Sequence, residues 1–447
     1  MRILVVGAGE VGSSIASSLS DAHEVVVVDV DPDRVESLTY AEDVLAVTGD
    51  GTDLDVLREA EVGKADVVIA STDDDETNLA TCATVTTISD AFTIARVEDT
   101  NYLDTWREHH GAFGVDFMVC TDLLAAEAIV RVVGLPTARD VDPFAGGSIQ
   151  MAEFEVREDS PLAGETVADA DRFDELTFVA VIPEGADRAS IPRGDTVIEG
   201  NARVVVVGRP ASVREFARSL DPDGAASEVE EVVVVGGSTT GQLTAEKLAE
   251  RGVSVRIVEF DEARARELAE LLPSVTVYSH DATDPEFLSR EHIEHADVVV
   301  ATLGSDERSL LAALLAKREG AARTIAVVEQ ARYVDLFETV GVDVAVNPRR
   351  VTAEEITRFT RERRAENVAI IEPGGAEVVE VEVDEDSVLA GRAIQDVMAD
   401  LPAGVVVGAI TRGGEYVTPR GSTVVEAGDH VVAFVQADAL EEVTSKL

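Results

Sequence analysis

The sequence reads twice. Ile3 to Gly12 (ILVVGAGEVG) returns as Val232 to Gly241 (VVVVGGSTTG), Val25 to Asp31 (VVVVDVD) as Val255 to Asp261 (VRIVEFD), and Ala65 to Thr72 (ADVVIAST) as Ala296 to Leu303 (ADVVVATL). Thr93 to Arg96 (TIAR) returns as Thr324 to Val327 (TIAV), and Leu162 to Gly164 (LAG) as Leu389 to Gly391. Pro192 to Glu199 (PRGDTVIE) returns as Pro419 to Glu426 (PRGSTVVE). A length of 447 residues alone suggests about three domains. The order A-B-A′-B′ instead predicts four lobes, over residues 1–135, 145–220, 229–350 and 372–447.

In the first lobe, short β-branched runs (Ile3 to Val6, Val25 to Val28, Val44 to Val47, Val67 to Ala70, Thr93 to Val97, Val115 to Val119) alternate with amphipathic segments such as Val11 to Leu19 and Glu76 to Ile88. Fully apolar strands alternating with helices specify a parallel sheet covered on both faces, a doubly wound, Rossmann-like α/β domain. The second lobe has strand-like runs at Gln150 to Val156, Thr177 to Ile182 and Arg203 to Val207 with a helical stretch near Ala168 to Phe173, a small α+β module. Asp221 to Ser227 reads as the linker between halves, and Ala353 to Glu366 as a charged helical joint between the last two lobes.

Charge limits the partners. With 37 Lys+Arg against 87 Asp+Glu the net charge is −50, while 45% of residues are hydrophobic, enough to build cores. Nucleic acid and anionic lipid would be repelled, so neither nucleic-acid binding nor direct membrane insertion is expected. The lysines are Lys64, Lys247, Lys317 and Lys446, so nearly all positive charge is Arg. Lys depletion with an acidic excess fits a halophilic protein, because at about 1 M salt the Debye length falls to about 3 Å and surface carboxylates stop repelling one another. Cys82 and Cys120 read as buried free thiols in a reducing compartment. Met1 to Gly7 lacks the layout of a signal peptide, and no apolar run approaches the length of a membrane span.

Gly7-Ala8-Gly9-Glu10-Val11-Gly12 follows a strand and opens a helix, and Asp29 ends the next strand. Gly7 permits the tight turn, Gly9 lets a phosphate approach the backbone, and Gly12 lets helix pack on strand. The helix N-terminus supplies N–H groups and partial positive charge, and Asp29 can accept both ribose hydroxyls. An acid there disfavours NADP but does not separate NAD(H) from ATP or ADP. Arg96, at a strand end, is the natural phosphate cation or else a surface ion pair; Asp50 and Thr72-Asp73 end neighbouring strands at the same edge. Asp74 and Asp75 read as helix capping and solvation. In the second half Ser238 replaces the close-approach glycine and Val327 replaces Arg96, while Glu259 keeps the ribose acid and Asp281 matches Asp50. A weaker second nucleotide site follows. His109, His110, His280, His292 and His295 lie in polar stretches with no partner motif, so no catalytic acid/base and no metal site are expected. These residues describe a sensor rather than an enzyme, with a nicotinamide-dependent oxidoreductase and a stand-alone nucleotide sensor of another transporter as the alternatives.

Together VVGAGEVG with Asp29, TDDDETNLA (Thr72 to Ala80), the run through IARVEDTNY to Tyr102, PRGDTVIEG, PRGSTVVEAGDHVVAF (Pro419 to Phe434), LAKREGA and YVDLFETVGVDVAVNP resemble the TrkA family, cytosolic regulatory subunits of Trk-type potassium uptake systems. The resemblance covers essentially the whole chain and implies RCK-N, RCK-C, RCK-N, RCK-C. It implies NAD(H) or ATP/ADP as regulatory ligands and a homo-oligomeric ring held at the inner face of the membrane by a Trk-type channel subunit. The residues it implies for the first site are Gly7, Gly9, Glu10, Val11, Asp29, Thr72, Asp73 and Arg96. For the second they are Gly237, Ser238, Thr239, Thr240, Glu259, Asp281, Thr302 and Leu303, with no catalytic residue.

Overall fold

A computed structural model describes residues 1–20, 23–41, 44–109, 111–135, 137–186, 188–220, 229–361, 367–371, 376–385, 387–398, 401–436 and 439. The expected linker at Asp221 to Ser227 and His110 lie outside them. The chain divides into two compact units, one formed by residues 1–129 and 231–360 and the other by 130–230 and 361–447. Among the described residues no helix is long and apolar enough to cross a membrane.

The first unit holds two six-stranded parallel sheets. In the first, the spatial order is Leu45–Thr48, Glu24–Asp29, Arg2–Val6, Val67–Ala70, Phe92–Val97, Phe117–Cys120. Ile3 to Val6 and Val67 to Ala70 are buried along their whole length, as strands covered by helices on both faces must be. The order reverses beside Arg2–Val6: the chain leaves that strand to one side and returns from the far edge to the other. Ligands of such folds collect at the carboxyl ends of the strands where this reversal occurs. The second sheet repeats the order with Thr276–Ser279, Ser254–Glu259, Glu231–Val235, Val298–Ala301, Thr324–Val327 and Val344–Val346.

The last helix of each half contacts the other half. The charged joint expected at Ala353 to Glu366 starts earlier, as the helix Pro348–Arg361, and residues 362–366 lie outside the described part. Its apolar face is buried on the first sheet: Ala353 and Ile356 join a core with Ile3, Val5, Ile69 and Val119. Phe359 stacks on Phe117 with ring centroids 3.7 Å apart and 4° between planes. Charge density hid this stripe, because its three apolar residues sit among Arg and Glu. Reciprocally, Glu127 of the helix Thr121–Val133 pairs with Lys247 of the second half at 3.0 Å.

The second unit holds the small lobes. Residues 138–208 form an antiparallel sheet in the order Ala138–Phe144, Ile149–Val156, Ala202–Gly208, Leu176–Ile182. The strand Ala138–Phe144 and the helix Pro210–Leu220 escape the sequence reading; the helix covers one face of the sheet through Val213, Phe216 and Leu220. The other face packs Val205 and Val207 against Val378, Val432 and Phe434 of the last lobe. That lobe has a five-stranded sheet, Asn367–Ile371, Ala376–Glu382, Asp429–Val435, Val405–Arg412 and Glu415–Val417 in spatial order, and a short ribbon of Arg392–Ala393 with Val424–Val425. Both cysteines are buried free thiols; burial pushes Cys82 up to about 12 and Cys120 up to about 11.

Ile356 comes from the second half but is fully buried among first-half side chains. Ile356→Ala is expected to lower unfolding free energy by about 2–5 kcal/mol, read by denaturant titration; wild-type stability would mean that the helix Pro348–Arg361 does not bear on the first sheet.

Candidate functional site

The first glycine turn is tight for reasons visible atom by atom. Gly7 has φ +103°, and a Cβ on it would lie 2.9 Å from the Thr72 nitrogen. A Cβ on Gly12 would fall 1.8 Å from the Gly7 carbonyl oxygen, so the helix Glu10–Ser20 starts hard against the turn. Gly9 differs: a Cβ there would meet only Arg34, at 3.7 Å. The backbone at the helix start is therefore open to an incoming group. Asp29, 8% exposed, accepts the Ala8 N–H at 2.5 Å and the Asp31 N–H at 2.8 Å, tying the turn to the end of the second strand.

Gly7, Gly9, Glu10, Val11, Asp29, Thr72 and Asp73 come together around one cleft of about 260 Å³, which Asp50 also lines. Asp50 accepts the Thr52 N–H at 2.9 Å and its hydroxyl at 2.7 Å, which hold its carboxyl below the usual range. Thr72 donates N–H and hydroxyl to Asn78 Oδ1, and Asn78 donates back to the Thr72 and Arg96 carbonyls. Asp74 caps the helix Asp75–Val85 through the Thr77 N–H. Asp75, by contrast, accepts the Glu98 and Asp99 N–H groups and so holds the next loop.

Arg96 is set behind the cleft rather than in its wall. It is 1% exposed; Nε donates to Thr121, Nη1 to the Thr72 carbonyl and to Asp73 at 2.8 Å, and Nη2 to Glu98 at 2.5 Å. Partial burial alone would raise the Asp73 pKa, but the Arg96 hydrogen bond and charge, helped by Arg349 and Arg34, bring it below the usual value. Burial wins at Glu98, whose pKa is raised. The cation that does line the cleft is Arg34, on the helix Pro32–Ala41, with Asp31 at 3.6 Å as its ion partner among the described residues.

The second turn keeps the frame and changes the chemistry. Glu259 accepts the Gly237 N–H at 2.6 Å and the Asp261 N–H at 2.7 Å, as Asp29 does in the first half. A Cβ on Gly237 would lie 2.9 Å from Glu259 Oε2 and 2.4 Å from Leu268, so the longer acid takes the room that Ala8 uses in the first half. Ser238 adds more than a Cβ: its hydroxyl accepts the Gly241 N–H and caps the helix Thr239–Glu250, occupying a donor a phosphate would use. Thr239 is exposed, whereas Thr240 is buried and donates to Asp122 of the first half. Thr302 is buried with its hydroxyl on the Val235 and Gly236 carbonyls, and Leu303 packs into the core. Asp281 repeats the Asp50 turn on Thr283, with Arg308 near enough to help keep its pKa low. Arg264, which repeats Arg34, is already bonded to the Gly237 carbonyl at 2.9 Å and to Gln242 at 2.7 Å.

Two arginines at the first cleft escape the sequence reading. Arg34 had a signal, since Arg and acid recur five residues apart as Asp29/Arg34 and Glu259/Arg264. Arg349 had none. It stands 339 residues from Glu10, yet Nη1 lies 3.4 Å from the Glu10 carboxylate and Nη2 3.9 Å from Asp73. Of the histidines, His109 ends the helix Thr100–Glu108, His280 stacks on Phe287, and His292 and His295 are exposed with Glu294, their three ligand atoms within 4.8 Å of one another.

The TrkA-N domain model matches residues 3–121 and 232–348, and the TrkA-C domain model residues 151–221 and 378–447. A Trk system potassium uptake protein TrkA homolog of Archaeoglobus fulgidus is 38% identical over 443 residues, 99% of each chain. The Trk system potassium uptake protein TrkA of Halomonas elongata is 34% identical, over 97% of this chain and 96% of its own. Among solved structures, the GsuK channel bound to NAD aligns with TM-score 0.61 and 21% identity, over 100% of this chain and 78% of its own. The GsuK RCK domain gives TM-score 0.60 and 20% identity, over 100% and 94%.

Because four partners use the buried Arg96 guanidinium, Arg96→Gln is expected to destabilise the chain by about 1–3 kcal/mol without any ligand, measured by urea unfolding. The folded pKa of Asp73 is depressed, so its share of stability is present above the unfolded value of about 3.9 and lost as pH falls through the lower folded value. Arg96→Gln should therefore flatten the stability profile below about pH 4; an unchanged profile would show that this pair is not coupled to folding.

Proposed function

The chain belongs to the TrkA family of Trk-system potassium uptake proteins, and on that premise we propose that it is a cytoplasmic regulatory subunit that binds NAD(H) or ATP/ADP and gates a membrane potassium channel subunit. The observation that carries this reading is the first cleft: an open helix start at Gly9, with the Asp29 carboxylate held against the same turn, lining about 260 Å³. Exposed backbone N–H groups at a helix start favour phosphate, and an acid at the end of the next strand favours a free ribose. The ligand contacts proposed for it are Gly7, Gly9, Glu10, Val11, Asp29, Thr72 and Asp73, with Arg34 added and Arg96 acting by holding Asp73. The second cleft, with Ser238 capping its own helix, takes a nucleotide more weakly than the first.

Gating follows from a population shift. A nucleotide moves the channel only through a difference in its affinity for two arrangements of a homo-oligomeric ring, because equal affinity shifts nothing. The chain reaches the inner face of the membrane through its channel partner, since a −50 net charge does not hold to anionic lipid. Potassium flux through liposomes carrying the Trk-type membrane subunit is expected to differ between ATP and ADP, or between NADH and NAD, when this chain is added. Identical flux with every nucleotide would overturn the gating role.

We infer further that the chain works in concentrated salt, from the same charge and its four lysines. Its thermal midpoint should rise between dilute and molar KCl as surface carboxylates are screened; a midpoint independent of salt would remove that inference.

A further inference from the structure

Each large lobe lends the other the start of its last helix. From the first half, Asp122 at the start of the helix Thr121–Val133 accepts a hydrogen bond from Thr240, inside the second glycine motif. From the second half, Arg349 at the start of the helix Pro348–Arg361 reaches Glu10, inside the first. Asp122 and Arg349 occupy equivalent places, since Val119-Cys120-Thr121-Asp122 aligns with Val346-Asn347-Pro348-Arg349 after the last strand of each sheet. The borrowed residue is a cation at the first cleft and an anion at the second.

We propose that Arg349 is a binding residue of the first cleft, supplied by the opposite lobe and directed at the phosphates of the nucleotide, and that Asp122 is its inverse, setting the second cleft against phosphate. The inference rests on the nucleotide-binding reading above and names which residues decide between the two clefts. The first cleft is lined by Glu10, Asp29, Asp50, Asp73 and Asp74 against Arg34, a wall that repels a polyphosphate unless cations are added. Arg96 is spent on Asp73 and Glu98. Arg349 is held loosely: its contacts are the Glu10 carboxylate at 3.4 Å, the Glu329 carbonyl at 3.3 Å and Asp73 at 3.9 Å, and its side chain is 29% exposed. All three contacts are longer than a good charge-assisted hydrogen bond, so a phosphate at the Gly9–Glu10 helix start can take the guanidinium over.

Glu10 is the present holder of that arginine and also accepts the Ala331 N–H of the second half at 2.7 Å. Phosphate and Glu10 therefore compete for one cation, and a bound nucleotide is bonded to both lobes at once. By linkage, whatever tightens lobe pairing tightens the nucleotide by the same factor, and the reverse. In the second cleft the same position adds Asp122 to Glu259 and Asp281, with Arg308 near Asp281 and Arg264 held by the Gly237 carbonyl and Gln242.

The test uses the full chain and compares ATP, NADH and adenosine by titration calorimetry. Arg349→Gln is expected to weaken ATP and NADH about tenfold, the scale of one charged hydrogen bond, with adenosine unchanged because it carries no phosphate. Arg349→Lys should recover part of the loss, Glu10→Gln should tighten ATP, and Asp122→Asn should raise occupancy from one nucleotide per chain toward two. Equal ATP affinity in Arg349→Gln and wild type overturns the proposal. So does a loss shared equally by adenosine, which would mean that Arg349 only holds the lobes together. Absence of binding of any nucleotide by the wild type would instead overturn the nucleotide-binding reading itself.

Discussion

The burial of the helix Pro348–Arg361 on a sheet built by the other half of the chain is the contact on which the rest of the two-sheet unit depends. Ala353, Ile356 and Phe359 bring apolar area to a core begun by Ile3 and Val5, so the two repeats cannot part without exposing it. That packing also fixes the first turn of the helix, which delivers a guanidinium to a cleft it does not belong to in sequence. A site assembled this way reports on the fit between halves, because a shift of the helix by an ångström or two would carry the charge out of hydrogen-bond range.

Electrostatics in this chain is a matter of where the few cations are held. With a net charge of −50 the background field opposes any polyphosphate. Around Asp73 the structure gathers three arginines of different standing: Arg96 buried and committed, Arg34 exposed, and Arg349 between them. The second half answers each change with its opposite: Val327 for Arg96, an Arg264 bonded to the glycine turn for the freer Arg34, and Asp122 for Arg349. Two clefts of one frame have thus diverged in charge while keeping the same backbone.

What was legible in the sequence is what local pattern encodes. Six apolar runs fixed the parallel sheet, and Gly7, Gly9, Gly12 and Asp29 located the cleft, because turn, close approach and strand end each demand a residue type at a set spacing. The strand Ala138–Phe144 was not legible, since Arg139, Asp140, Asp142 and Pro143 break its alternation. The helix Pro348–Arg361 was read only as a charged connector, because its face is defined by a partner surface far away in the chain. Arg96 looked like a ligand-facing cation from its strand-end position; its burial behind Asp73 depends on Thr121 and Glu98, whose approach no spacing announces.

The paired exchange of Ala8 and Asp29 for Gly237 and Glu259 bears on how such a tandem chain can change. One carbon has moved from the loop to the acid, and the hydrogen bond from loop N–H to carboxylate survives in both halves. The loop member of the second pair cannot be altered alone: an alanine at 237 would collide with Glu259 and Leu268. Short-tract gene conversion between the duplicated halves would copy one member without the other, since the two stand more than twenty residues apart. A copied Ala8 without its Asp29 would therefore bring a clash into the second half.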